Sequence, residues 1–166
     1  MMRISLLAAT ALLAPLAAFA QPAPPPRPTG PVQPMEYAAK FVCGSSNGDS
    51  TPAAAGRYFT AINVHNPGGP VRISDKVALA TIGSPGPMTD LRTRMSLRYD
   101  EAVEFDCDWL RGRLRDAGIP APPFFTGFFV LQVRTALDVV AVYTASGRDG
   151  TVSTMHTERV PVRRVM

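Results

Sequence analysis

Thr126–Ala145, TGFFVLQVRTALDVVAVYTA, is the most apolar stretch of the chain outside its N-terminus. Two runs rich in β-branched and aromatic residues, Phe128–Val133 and Val139–Tyr143, flank a short polar break. Runs of this length and composition are typical of strands that are buried on both faces. We therefore predict a β-hairpin at the centre of a sheet, and we expect Val140→Asp to unfold the domain.

A membrane span is the rival interpretation of the same stretch. Arg134 and Asp138 would then lie near the bilayer centre, where each costs about 2.5–3.5 kcal/mol. Gly127 near the start of the stretch also argues against it. We therefore favour strands over a transmembrane helix.

Residues 1–20 have the layout of a secretory signal peptide. Arg3 supplies a positive charge, Ile4–Leu16 an apolar core, and Ala18–Ala20 a small-x-small cleavage site. Cleavage there leaves Gln21 at the N-terminus, without the cysteine that a lipid anchor needs. The sequence thus predicts an exported protein, periplasmic or secreted, with no transmembrane segment after cleavage. The short apolar core disfavours the alternative of an uncleaved anchor helix.

Residues 21–35, QPAPPPRPTGPVQPM, contain seven prolines. Because proline has no N–H to donate, this segment cannot form a hydrogen-bond ladder. Its composition is typical of an extended, disordered linker. The remaining residues, 36–166, are enough for a single domain with one core.

The chain has two cysteines, Cys43 and Cys107. In an exported protein, an even number of cysteines indicates a disulfide bond. Closing a loop of 64 residues in this way stabilises a fold by about 4 kcal/mol. Two free thiols or a metal pair are the alternatives, and no histidine lies at ligand spacing from either cysteine.

Other segments alternate apolar and polar residues between turns rich in glycine and proline. The clearest are Arg57–His65, Val71–Ile82 and Leu91–Arg98. This period of two is typical of strands with one buried face. Asp75 interrupts one apolar face, which indicates a bulge or an edge position. The breaker-rich segment Gly83–Asp90 predicts a loop.

One helix is predicted among these strands. Asp106 or Asp108 is a suitable N-cap for a helix through Trp109–Ala117, and Gly118 follows its end. The whole pattern predicts an all-β fold: an antiparallel β-sandwich, Ig-like in outline, with seven or eight strands and one short helical crossover.

Three fragments carry a resemblance: GRYFTAINVHNP (Gly56–Pro67), DEAVEFDC (Asp100–Cys107), and GFFVLQV with LDVVAVYTA (Gly127–Ala145). Together they resemble a group of bacterial secreted proteins that pair a Y-x-T-x-I-N-V-H-N-P strand with a C-terminal L-D-V-V-A-V-Y-T strand. The resemblance covers most of residues 40–160. It implies a bacterial origin, export and a β-fold, and it supplies no catalytic residues. In outline the chain is also similar to the small β-sandwich of sensory-rhodopsin transducer proteins, in architecture alone.

No nucleophile elbow, P-loop or dinucleotide-binding motif occurs in the sequence. The only histidines, His65 and His156, could meet if their strands paired, and Asp75 could then join them in a metal site. We favour a structural role for both histidines, because the spacing of these residues does not require a metal. Acidic residues near the predicted helix could hold calcium or serve as a general acid and base. We favour helix capping and charge balance for them; they are Asp100, Glu101, Glu104, Asp106 and Asp108. The sequence predicts no cofactor; if a metal is bound, the candidates are His65, His156, Asp106 and Asp108.

Arginines supply 15 of the 17 basic residues, and only Lys40 and Lys76 are lysines. Two rows of arginines stand out, one on a predicted strand and one on the predicted helix. Such rows could contact an anionic surface, although a solvated, salt-bridged face is the favoured interpretation. No aromatic residues are interleaved with them, so nucleic acid is not the expected partner. The rows are Arg92, Arg94 and Arg98, and Arg111, Arg113 and Arg115.

These observations favour an exported, non-enzymatic β-sandwich that acts as a binding, envelope-interaction or structural module. Its partner would be an envelope component, an anionic glycan or a protein, and its oligomeric state stays open. The alternative is a small secreted metal-binding protein or hydrolase that uses His65, His156 and the acidic cluster.

Overall fold

The computed structural model describes residues 33–49, 53–147 and 149–165. The predicted signal peptide lies outside the described residues, as does the predicted linker up to residue 32. In chain order the elements are β1 (Met35–Ser46), β2 (Gly56–His65), β3 (Val71–Ala80), β4 (Pro85–Met88), β5 (Arg92–Leu97), β6 (Ala102–Asp106), α1 (Cys107–Asp116), β7 (Phe124–Val133), β8 (Asp138–Ser146), β9 (Val152–Arg159) and β10 (Val162–Arg164). No helix in this part of the chain is long and apolar enough to cross a membrane.

The described strands pair antiparallel in one continuous sheet, ordered β4–β3–β7–β1–β2–β8–β9. β5 also pairs with β3, β10 with β1, and β6 with β2. The sheet turns over on itself where the end of β1, Gly44–Ser46, pairs with the start of β2. This fold gives a β3–β7–β1 layer that faces a β2–β8–β9 layer, and it confirms the predicted all-β, sandwich-like class with one short helix.

Gly44 occupies the point at which β1 changes layers. Its φ of +96° lies in a region that side chains with a Cβ rarely adopt. A Cβ built there would lie 1.8 Å from the carbonyl oxygen of Pro123, so no larger residue fits. The bend between the two layers therefore depends on a glycine.

Alternating residues of the two layers form one core. Phe41 of β1 and Phe129 of β7 are fully buried, as are Ile62 of β2 and Ala141 of β8. Three aromatic rings join the helix to this core: Phe105, Trp109 and Phe129, with centroids 4.6 to 5.3 Å apart. The period-two patterns of Arg57–His65 and Val71–Ile82 therefore identify the buried faces of β2 and β3 correctly. In Leu91–Arg98 the pattern holds for Leu97, which is buried, but not for Leu91, which is exposed.

The predicted central hairpin is wrong. β7 pairs with β1 and β3, whereas β8 pairs with β2 and β9, so the two apolar runs lie in opposite layers. Residues 134–137 form an arch between the layers. The hydroxyl group of buried Tyr37 donates to the carbonyl oxygen of Leu137 and accepts from its N–H, each at 2.8 Å. A hairpin and an arch bury the same apolar runs, so hydrophobicity alone does not separate them.

The described part of the chain has ten strands, compared with the seven or eight expected. One addition, β4, lies inside the segment predicted as a loop, Gly83–Asp90. Its prolines, Pro85 and Pro87, are tolerated because β4 lies at the edge of the described sheet, where it pairs with β3 alone. The other addition arises because the last predicted strand divides into β9 and β10 around Pro161.

The helix and the disulfide match their predictions closely. The carboxylate of Asp106 caps α1 by accepting the N–H of Trp109 at 2.8 Å. Cys43 and Cys107 form a disulfide with their Cα atoms 5.6 Å apart. This bond links β1 directly to the first residue of α1.

The positions of Val139 and Val140 lead to a revised stability prediction. Val139 is 1% exposed and lies in the core, whereas Val140 is half-buried on the outer face of β8. We expect Val139→Asp to lower the free energy of unfolding by more than about 4 kcal/mol, because it buries an unpaired carboxylate.

Val140→Asp is the matched control, and urea denaturation of both variants provides the measurement. Since Val140 lies outside the core, this variant should keep a cooperative transition, contrary to the expectation from sequence alone. An equal loss of stability in the two variants would show that the assignment of β8 faces is incorrect.

Candidate functional site

Arg113, one of the predicted surface arginines, is buried between α1 and β3. Its side chain is 2% exposed, and its Nε donates to Oδ1 of Asp75 at 3.0 Å. A second guanidinium nitrogen donates to the carbonyl oxygen of Asp90 at 2.8 Å. Asp75 thus occupies a core-facing position because its countercharge comes from the helix. The bulge that Asp75 indicated lies beside it, where the β3–β5 register shifts between Ile73 and Ser74.

Three of the other predicted arginines also have partners. Arg111 places its guanidinium 4.5 Å from the ring centroid of Phe125 and donates to the carbonyl oxygens of Ala121 and Pro122. Arg98 pairs with Glu101, and Arg92 lies 3.6 Å from Asp90. Only Arg94 and Arg115 are exposed without a partner among the described residues. The six arginines therefore divide between the interior, a loop contact and the surface.

His65 lies in a charged cluster at the end of β2. Its Nε2 lies 2.9 Å from Oδ1 of Asp100, and its Nδ1 lies 3.5 Å from Oδ2 of Asp138. Arg159 of β9 donates to the other carboxylate oxygen of Asp138 at 2.8 Å. The hydrogen bond to Asp100, followed by that to Asp138, raises the pKa of His65 above its ordinary value. The cluster joins β2, β8, β9 and the β5–β6 turn.

Asn66, the neighbour of His65, organises the turn that carries Asp100. The fully buried Asn66 amide donates to the carbonyl oxygens of Gly69, Leu97 and Arg98 within 3.2 Å. The N–H of Asp100 donates to the Asn66 carbonyl oxygen at 2.8 Å. Asp100 has a φ of +61°, a left-handed conformation that aspartate tolerates better than most residues. These contacts place its carboxylate beside the imidazole.

The two histidines do not meet. His156 stacks on Tyr143, which pairs with Thr60 of β2, five residues before His65. At about 3.3 Å per residue, this offset separates the rings by roughly 16 Å along the sheet.

Burial, followed by the charge of Glu158, raises the pKa of the Tyr143 hydroxyl to about 12.

The other predicted metal candidates are equally dispersed. Asp75 is paired in the core, Asp106 caps the helix, and Asp108 is exposed on α1. Asp100 and Asp138 face different ring nitrogens of His65, so the imidazole and the two carboxylates cannot coordinate one metal ion together. Within the part of the chain that the structure describes, no three histidine, cysteine or acidic side chains are placed to hold a metal.

The outer edge of β9 is a feature that the sequence patterns did not single out. All eight residues of β9 are exposed, and among the described strands β9 pairs with β8 alone. The N–H of Val160 donates to the carbonyl oxygen of Val139 at 2.9 Å, and this pair continues the β8–β9 register. Because bonding direction alternates along an antiparallel strand, Met155, Thr157 and Arg159 direct their N–H and C=O groups away from β8. These three residues define the free β9 edge.

Comparisons with known proteins do not assign a function to this chain. No family model and no curated protein matches the chain. Among solved structures, the crystal structure of Thermotoga maritima 1070 aligns over 78% of this chain and 92% of its own length. It has 10% sequence identity and a TM-score of 0.43. This similarity is too distant to assign a function or a site.

The buried ion pair predicts a specific pattern of stability changes. We expect Asp75→Asn to cost on the order of 3–5 kcal/mol, because it leaves the Arg113 guanidinium buried without a countercharge. The double variant Asp75→Leu with Arg113→Met should recover most of that loss, because both charges are then removed. Urea denaturation of the two variants tests this, and a double variant as unstable as the single one would contradict it.

The His65 cluster predicts a pH dependence. A raised pKa means that folding favours the protonated imidazole, which donates to both carboxylates. This stabilisation is complete below the ordinary pKa of 6.5 and is lost as the pH rises through the higher folded value. The melting temperature should therefore fall over that window, and it should fall less in His65→Gln.

A proton NMR titration measures the pKa directly, with His156→Gln used to assign the remaining imidazole signal to His65. Asp100→Asn should lower the pKa of His65, since its hydrogen bond is the larger cause of the shift. A midpoint at or below 6.5 in the native protein would refute the charge assignment.

Proposed function

We propose that this chain is an exported, non-enzymatic module that binds an extended segment of an envelope protein along the free β9 edge. The observation that carries the proposal is the open edge itself. The signal-peptide layout of residues 1–20 supports export. The Cys43–Cys107 disulfide supports it as well, because such bonds persist in oxidising compartments outside the cytoplasm.

An open edge strand needs a physical explanation, because its unpaired N–H and C=O groups invite pairing with other chains. Proteins usually block such edges with prolines, lysines, bulges or short strands. β4 contains two prolines, and β5 contains a bulge and two arginines. β9 is the longest described strand with a single strand partner, and it contains neither proline nor lysine. Its one register shift lies at the N-terminal end, before Met155, and its one arginine, Arg159, is paired with Asp138.

Strand addition fits the chemistry of this edge. Main-chain hydrogen bonds to Met155, Thr157 and Arg159 would supply affinity, and neighbouring side chains would supply selectivity. Met155 is 71% exposed and offers an apolar contact on one face. His156 and Glu158 lie on the other face, where they favour partners with complementary charge.

The enzyme alternative finds less support in the geometry. A general base must reach a proton on a substrate or nucleophile. Both ring nitrogens of His65 already face carboxylates, and His156 stacks on Tyr143 in another part of the sheet. The acidic residue Asp106 is committed to the helix cap. We therefore favour binding over catalysis.

Thr157→Pro provides a direct test. Proline removes the central outward N–H and places its ring against an added strand, whereas the ladder to β8 stays intact. Peptides selected from a random phage-displayed library on residues 21–166 should bind Thr157→Pro at least about tenfold more weakly, a loss of about 1.4 kcal/mol. Isothermal titration calorimetry measures the affinities.

Thr157→Ala is the matched control, because it removes the same side chain and keeps the N–H. It should bind the selected peptides nearly as well as the native domain, and it should retain an envelope-fraction partner that Thr157→Pro loses. Equal binding by the two variants, or failure to select any peptide, would rule out strand addition at β9.

A further inference from the structure

An open apolar groove of about 480 Å³ lies at one end of the β3–β7–β1 layer, in the opposite layer from β9. Its volume is within the range of small-molecule sites, about 300–1,000 Å³. One wall comes from the β3–β4 connection and β4, with Ile82 and Pro87. The other comes from the segment that follows α1 and the start of β7, with Pro120, Pro122 and Phe124.

The second wall is held in place by an arginine. Arg111 of α1 donates to the carbonyl oxygens of Ala121 and Pro122, and its guanidinium packs on the ring of Phe125. The prolines of this segment restrict its backbone further. The groove is therefore shaped before any ligand arrives, which lowers the entropy cost of binding.

The mouth of the groove leaves apolar surface uncovered. Ile82 is 81% exposed, although isoleucine is among the residues most often buried. Phe128 is also exposed on the adjoining outer face of the sheet, opposite Lys40 in register. Exposed apolar side chains beside a groove on a folded domain are typical of a binding site.

The charge at the groove has one sign. Lys40 is the one ionisable residue in its lining, and no carboxylate contributes to it. The Lys40 ammonium lies 5.2 Å from the ring centroid of Phe128 and has no acidic partner among the described residues. The other lysine, Lys76, lies near Glu36. Burial raises the pKa of that carboxyl, but hydrogen bonds from Gln132 and Arg163, and then the charges of Arg163 and Lys76, lower it overall. Lys40 is therefore the cation that the groove lining offers to a ligand.

We propose that this groove binds a small apolar carboxylate, such as a free medium-chain fatty acid. The hydrocarbon tail lies between Ile82 and the proline wall, and the carboxylate pairs with the Lys40 ammonium at the rim. Charge complementarity selects this class of ligand: the lining offers an apolar channel and a single positive charge. The site is separate from the free β9 edge, so Thr157→Pro should leave it unchanged.

Isothermal titration calorimetry with decanoate, below its micelle concentration, tests the proposal on residues 21–166. We expect saturable binding of one decanoate per domain. Lys40→Gln should weaken it about tenfold or more, as expected for loss of a hydrogen bond to a charged group. Ile82→Ser should also weaken it, and its high exposure makes a folding defect an inadequate explanation.

Lys76→Gln is the matched control, since it removes the other lysine and should leave decanoate affinity unchanged. Decanol should bind the native domain and Lys40→Gln equally, because it has no charge to pair. Absence of saturable decanoate binding, or equal losses in the two lysine variants, would overturn the proposal. Lys40-dependent binding to anionic phosphatidylglycerol vesicles without binding of free decanoate would also overturn it, in favour of a membrane contact.

Discussion

The buried ion pair between Arg113 and Asp75 determines how the helix sits on the sandwich. Two desolvated charges are costly unless they are paired and hydrogen-bonded, so α1 has one favourable position against β3. The disulfide fixes the other end of the helix to β1 through Cys43 and Cys107. Because β7 lies between β3 and β1, the helix bridges three strands of one layer. The aromatic cluster around Phe129 and the groove wall held by Arg111 both follow from that placement.

Local sequence patterns predicted the strands well and their partners poorly. Period-two alternation depends only on which face of a strand is buried, and it correctly marked β2 and β3, whereas β7 was predicted from its continuous apolar run. Pairing depends on contacts between residues far apart in the chain, as between β7 and β1. The arch at Leu137 shows the consequence, because its decisive partner, Tyr37, lies one hundred residues away. Only the disulfide was a long-range contact that composition alone predicted.

The site residues were harder to predict for the same reason. Spacing placed Arg113 with Arg111 and Arg115 on one helix, but burial differs around a helix and depends on what packs there. Asp75 was the available signal: a carboxylate on a core-facing position requires a buried partner of opposite charge. The carboxylates beside His65 had no comparable signal, since Asp100 and Asp138 are 35 and 73 residues distant.

The two layers differ in how firmly their exposed parts are held. The β3–β7–β1 layer is fastened by the ion pair and the disulfide, so a groove on it keeps its shape. β9 buries none of its residues and depends on β8 for its position. Its C-terminal end is anchored, because Arg159 pairs with Asp138 and buried Val160 donates to Val139. Its N-terminal end, near Val152, follows a shift in register. Opening of this strand should therefore begin at Val152 and proceed towards the His65 cluster, leaving the core intact.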